Sequence, residues 1–272
     1  MPKRIANEAR QQKMLELLKG LDGLTYETVS KQTVNYALID LSHLFTWAGK
    51  QDLYTGKNPC DGVAFEGVES TRFELFTDPD LRAIFSSPEF NQERTGDHPY
   101  HYWLVWILAL TGTRRGEIAK LRAEDIRQEE GVWFFDIVDE GEEGKRLKNK
   151  HSRRRVPIHS KLLELGFLET RPKEGMLFPK AYTGKGRKTV GDAFTKWFNR
   201  LRRSLDITGK KPPHSFRHTA ITKLASASVP ADVQRILTGH AAKDVHGETY
   251  THLDAVSLVL LRGNLEKLTM PV

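Results

Sequence analysis

A single cysteine, Cys60, stands in the 272 residues. One thiol can neither close an internal disulfide nor furnish a cysteine zinc site, so a fold stapled by either is excluded and a reducing, cytoplasmic setting is expected. Long apolar runs are equally scarce. The longest, Tyr102 to Leu110, is too short to span a bilayer, and the polar stretch from Met1 to Met14 lacks the apolar core of a signal peptide. Repeats and low-complexity tracts are missing, as are a P-loop and a carboxylate-rich metal cluster, so no ATP-driven or metal-centred chemistry is announced by motif.

What remains is a chain with 39% hydrophobic and 28% charged residues, long enough to bury a sizeable core. Its formal charge is +7, from 42 Lys and Arg against 35 Asp and Glu, and it is unevenly placed. Lys145 to Arg217 holds 21 basic and 5 acidic residues, a balance of +16, which leaves −9 on the rest. A basic block within an acidic remainder suggests a surface for a polyanion. Solvated helix faces would give the same count, so the charge needs support from other residues.

Organisation follows from periodicity. Asn7 to about Gly49 reads as two helices, the second with Val34, Leu38, Leu41, Leu44 and Phe45 on one face, expected to be buried. Gly56 to Pro59 breaks the pattern, and Thr77-Asp-Pro-Asp80 has the form of a helix start, with Thr77 as N-cap and Pro79 in the first turn. Tyr102 to Leu110 predicts a helix buried on all sides and stopped at Gly112. Val132 to Val138 is rich in β-branched and aromatic residues and, with the basic runs ending at Val156-Pro157, predicts a small antiparallel sheet. Helices are then expected at Val190 to Leu205, His214 to Leu224, Ala231 to Leu237 and Asp254 to Leu268. The fold class is mainly α with a small antiparallel sheet, α+β.

Several residues could carry chemistry. Arg114, after the Thr111-Gly112 break, would project from a helix N-terminus, where backbone N–H groups already favour an anion. His214 and Arg217, three apart, share a helix face and could converge on one phosphate, the guanidinium as a fork and the imidazole exchanging a proton. His214 and His218, at i and i+4, also suit a zinc pair, though no Glu lies between them in HExxH fashion. Leu237-Thr-Gly-His240 and Tyr250 complete the series. Alone, Arg114 reads more readily as an ion-paired surface arginine and Tyr250 as a half-buried structural tyrosine, and a capping histidine is the plain alternative for His214.

Together and in this order they resemble the tyrosine recombinases, or phage integrases. Thr111-Gly-Thr-Arg114-Arg-Gly-Glu117 is similar to the family's first arginine box, Lys148 to its hairpin lysine, Pro213-His214-Ser-Phe-Arg217-His218 to its second box, Leu237-Thr-Gly-His240 to its Leu-Gly-His motif, and Tyr250 to its nucleophile. The resemblance implies a catalytic domain over 77–272 with a C-terminal docking helix, a linker over 64–76, and a helical core-binding domain over 1–63. That first domain is short for the family, which implies a truncated or a divergent clamp.

It further implies a site-specific recombinase that acts on double-stranded DNA at an attachment site, for integration or excision of a phage or mobile element, without metal, ATP or membrane. Catalysis would use Arg114, Lys148, His214, Arg217, His240 and the nucleophile Tyr250, with Lys150 as an alternative general acid. Lys150, Arg153, Arg154, Arg155, Lys185, Arg187, Lys188, Arg202 and Arg203 would contact DNA. A homotetrameric synapse is expected on DNA. A chromosome-dimer or plasmid resolvase, a topoisomerase-like relaxer, a non-cleaving DNA-binding regulator and a zinc hydrolase are the competing readings.

Overall fold

The computed structural model describes residues 29–68, 73–137, 154–182, 192–240 and 256–272. The chain divides into two compact units, Met1–Thr71 and Arg72–Val272. In the first, helix α1 (Lys31–Lys50) starts at Ser30, whose hydroxyl accepts the Thr33 N–H at 3.1 Å. The expected apolar face is not buried. Val34, Leu38 and Phe45 are only half-covered, and Leu41 and Leu44 are 47% and 54% exposed. What lies against the helix is returning chain held by polar contacts. Asn35 exchanges two 2.9 Å hydrogen bonds with the Phe65 backbone, Asn58 reaches Ser42, and Tyr54 meets Phe45 edge-on.

Near the start of the second unit, Phe76 is buried against Phe198 and Phe216. Helix α2 (Asp78–Ser86) opens as expected: the Thr77 hydroxyl accepts the Asp80 N–H, and the Asp80 carboxylate accepts the Thr77 N–H at 2.8 Å. Helix α3 (Pro88–Gln92) follows at once. Helix α4 (Tyr100–Thr111) is buried at every position, which its unbroken apolar run dictates. It stops at Gly112 with φ +64°, where a side chain would meet Ala220 at 3.1 Å and Thr238 at 3.3 Å. That glycine lets three helices approach closely.

After the single-turn α5 (Arg115–Ile118), strands β1 (Ile126–Glu129), β2 (Val132–Ile137) and β3 (Arg154–Pro157) form an antiparallel sheet in that order. Glu129 pairs with Val132 across Glu130-Gly131, whose φ values of 50° and 73° suit a two-residue hairpin turn. Strand β1 is an addition to the sequence reading. Its Ile-Arg-Gln-Glu residues bury only the first side chain, so no alternation betrays it.

Helix α6 (Ser160–Glu164) leads to α7 (Asp192–Ser204), which buries Phe194, Trp197, Phe198 and Leu201 at spacings of three and four. Each such burial contributes about 1.5–3 kcal/mol. Helix α8 (Ser215–Ser226) packs against α4 and against α9 (Ala231–Thr238), and α10 (Leu258–Leu265) closes a second cluster with Val233, Leu237 and Leu224. Val190, Asp254 and their immediate neighbours lie outside the described residues. Among the described residues, no helix is long and apolar enough to cross a membrane.

Candidate active site

Four chain segments converge at the C-terminal end of α9. Its last carbonyls carry the negative end of the helix dipole, which attracts cations. Three arginines take them. Arg154 Nε donates to Leu237 O at 3.2 Å, Arg217 donates to Thr238 O, and Arg114 Nη2 donates to Gly239 O at 2.7 Å. Arg217 also reaches Gly112 O at 2.8 Å, tying α8 to the end of α4.

A single buried carboxylate balances this charge. Glu117 accepts the Arg114 backbone N–H at 2.9 Å and its Nη1 at 2.8 Å, then accepts both terminal nitrogens of Arg154 at 2.8 and 3.3 Å. Burial pushes the Glu117 pKa up, but the two guanidiniums and the Arg114 N–H outweigh it and hold the group below the usual carboxylate range. Arg114 and Arg217 are thus each held by protein through part of the guanidinium. The side chain of Arg114 remains 37% exposed.

His240 follows Gly239 directly and is exposed. The Thr238 hydroxyl gives its hydrogen to Gln234 O at 2.6 Å, which leaves Oγ1 to accept from His240 Nδ1 at 3.0 Å. Arg217 Nη2 lies 3.1 Å from His240 Nδ1 and 3.3 Å from Nε2, and as a donor it needs an unprotonated ring nitrogen there, which a neutral ring supplies. Desolvation, then the charges of Arg217 and Arg114, press its pKa down to about 4. His214 caps α8 and is driven to about 4 by desolvation, His218 and the same arginines. Arg217 falls to about 10 through burial and Arg114, and stays charged at neutral pH. His214 and His218, the pair a zinc site would use, pack ring to ring at 4.9 Å and 85°, with the Phe73 ring against both.

The structure therefore brings Arg114, His214, Arg217 and His240 together, with Arg217 itself buried. Lys148, Lys150, Arg153, Lys185, Arg187, Lys188 and Tyr250 lie outside the described residues. Arg154 must be reassigned: at 1% exposure, with its guanidinium on Glu117 and α9, it is an interior group and not a surface contact for DNA. Arg155 lies over Phe134 and pairs with Glu129 at 3.0 Å. Arg202 folds back on Ile207 O and Gly209 O, whereas Arg203 is exposed. Glu117 is the residue that sequence reasoning passed over. Its spacing three after Arg114, the reach of a capping carboxylate, was the available signal.

Comparison with known proteins bears on this constellation. The phage integrase family profile matches residues 88–256, more than half of the chain. The chain belongs to the phage integrase family. It is a tyrosine recombinase by class, and is 25% identical over 276 residues to a "Tyrosine recombinase XerC-like" protein of Caldanaerobacter subterraneus subsp. tengcongensis, covering 89% of this chain and 67% of that one. An Aquifex aeolicus protein described as a probable integrase/recombinase is 31% identical over 159 residues, 53% of this chain and 50% of its own. The fold is that of the Tn1549 transposon integrase solved with circular intermediate DNA, at TM-score 0.55 and 19% identity over 93% of this chain and 83% of that chain.

Proposed function

We propose that this chain is a site-specific DNA recombinase that cuts and rejoins duplex DNA through a 3′-phosphotyrosine on Tyr250, in the integration or excision of a phage or mobile element. The observation that carries the reading is the shared grip of Arg114 and Arg217 on adjacent carbonyls, Gly239 O and Thr238 O, with His240 beside them. Two guanidiniums fixed by one edge present the other to a single diester, and preorganised donors of this kind contribute about 3 kcal/mol each to a transition state.

The steps follow from the groups. Tyr250 Oη attacks phosphorus as the bond to the 5′-oxygen breaks, giving a phosphotyrosine and a free 5′-hydroxyl. His214, neutral because its pKa lies near 4, is free to take the tyrosine proton. Lys148 protonates the leaving oxygen, with Lys150 the alternative. A bound diester offsets the charge of Arg114 and Arg217, which raises the pKa of His240 and turns it into a donor to a phosphate oxygen. The covalent ester conserves bond energy, so rejoining to a second strand needs neither ATP nor a metal. The partners are double-stranded DNA and further copies of the chain in a tetrameric synapse.

Incubating the protein in EDTA with nicked duplexes tiled across the DNA flanking its gene tests the reading. A covalent adduct on a denaturing gel, lost in Tyr250→Phe, is expected. An adduct that persists in that variant overturns the assignment.

A further inference from the structure

Arg154 is among the largest fully buried side chains described, yet it is a cation. Burying a guanidinium is costly unless it is both paired and hydrogen-bonded. Here it is both. Its fork closes on Glu117, while Nε and Nη2 reach Leu237 O and Thr238 O at 3.2 and 3.4 Å. It occupies the first position of β3, opposite Ile137, so the sheet fixes its backbone. The chain also makes room for it. A side chain on Gly239 would stand 2.6 Å from the Arg154 Cζ and Nη1 atoms.

Two of its partners are the groups that aim the other arginines. Glu117 holds Arg114, and Thr238 O receives Arg217. Removing Arg154 would leave the Glu117 carboxylate free to swing toward Arg114, and would loosen the α9 terminus that precedes His240. Lys148 and Lys150 precede Arg154 by six and four positions in sequence.

We infer that Arg154 is a positioning residue for strand cleavage, acting through Glu117 and the α9 terminus on Arg114, Arg217 and His240 without touching DNA. This rests on the recombinase reading above, and its test includes a measurement that needs no DNA.

The experiment compares wild type, Arg154→Lys, Arg154→Met, Glu117→Gln and the double variant E117Q/R154M. Adduct formation is measured in single turnover at saturating nicked duplex, DNA affinity by titration at several salt concentrations, and guanidinium proton exchange of Arg217 by NMR without DNA. A misplacement of about 1 Å costs roughly 100-fold in rate, so Arg154→Met should lose about 100-fold. Its DNA affinity and salt slope should stay within about twofold of wild type, since a group without phosphate contact does not change counterion release. Arg154→Lys, which keeps the charge but not the fork, should recover about tenfold of that loss. It also carries the comparison if the methionine variant does not fold. The double variant should be no slower than the worse single variant, the mark of two residues in one pathway. Arg217 exchange should quicken about tenfold or more in Arg154→Met.

A fall in affinity with a shallower salt slope would make Arg154 a phosphate contact and overturn the inference. So would an unchanged cleavage rate, or losses that multiply in the double variant. If wild type forms no adduct while Arg217 exchange still quickens, the recombinase reading fails and the positioning role stands.

Discussion

Gly239 gives its carbonyl to Arg114 at 2.7 Å, and the space where its side chain would be is filled by the guanidinium of Arg154, 2.6 Å from an ideal Cβ. One residue thus ties an exposed arginine to a buried one. Its φ of +69° adds a second reason for glycine. Gly239→Ala should destabilise the protein by about 1–3 kcal/mol from the left-handed backbone alone. Denaturant unfolding measures this, and a change below a few tenths of a kcal/mol would contradict both the backbone strain and the clash with Arg154.

Glu117→Ala should cost about 3–5 kcal/mol, because it strands the Arg154 charge in the interior. Since the Glu117 pKa is held below its unfolded value of 4.5, its stabilisation is present above pH 4.5 and is lost as the pH falls through the depressed value. The acid limb of unfolding should therefore flatten in Glu117→Gln relative to wild type. Equal limbs would remove Glu117 from the charge balance.

His214 and His240 behave in the same direction for a different reason. Both are lowered from 6.5 to about 4 by desolvation and neighbouring positive charge, so the unfolded chain binds more protons between those values. Their contribution is complete above pH 6.5 and lost as pH falls toward 4. Melting temperatures followed from pH 7 to pH 4 should decline less steeply in the variant His214→Asn combined with His240→Asn. On binding duplex DNA, the His240 ring should titrate at a higher pH than in the free protein. A value that stays near 4 would show that no phosphate approaches it.

Arg217→Lys keeps a charge but cannot hold Gly112 O, Thr238 O and a phosphate in one plane. Adduct formation should fall about 10²–10³-fold with DNA affinity nearly unchanged. Parallel losses in both would make Arg217 a binding residue only.

How much of this was legible follows from which interactions are local. The Thr77 cap, the α4 run with its Gly112 stop and helix α7 depend on neighbours within a turn, and each is readable. Arg114, His214, Arg217 and His240 were readable as a series, and the structure places them together. Strand β1 was not, because only Ile126 is buried. The face of α1 reads as core but meets polar returning chain. Arg154 reads as a surface cation because it sits among other arginines, and only a carboxylate 37 positions away in sequence, Glu117, makes it internal. Long-range pairing of that kind leaves no period to read.

The most direct measurement is the covalent adduct itself. Wild type, Arg114→Ala, Arg217→Ala and Tyr250→Phe are mixed with nicked duplexes in EDTA and resolved on denaturing gels with the digested peptide identified by mass. A DNA-linked peptide containing Tyr250 is expected in wild type, with strong loss in both arginine variants and none in Tyr250→Phe. A linkage at another residue, or an adduct that Tyr250→Phe retains, would contradict the assignment of the nucleophile.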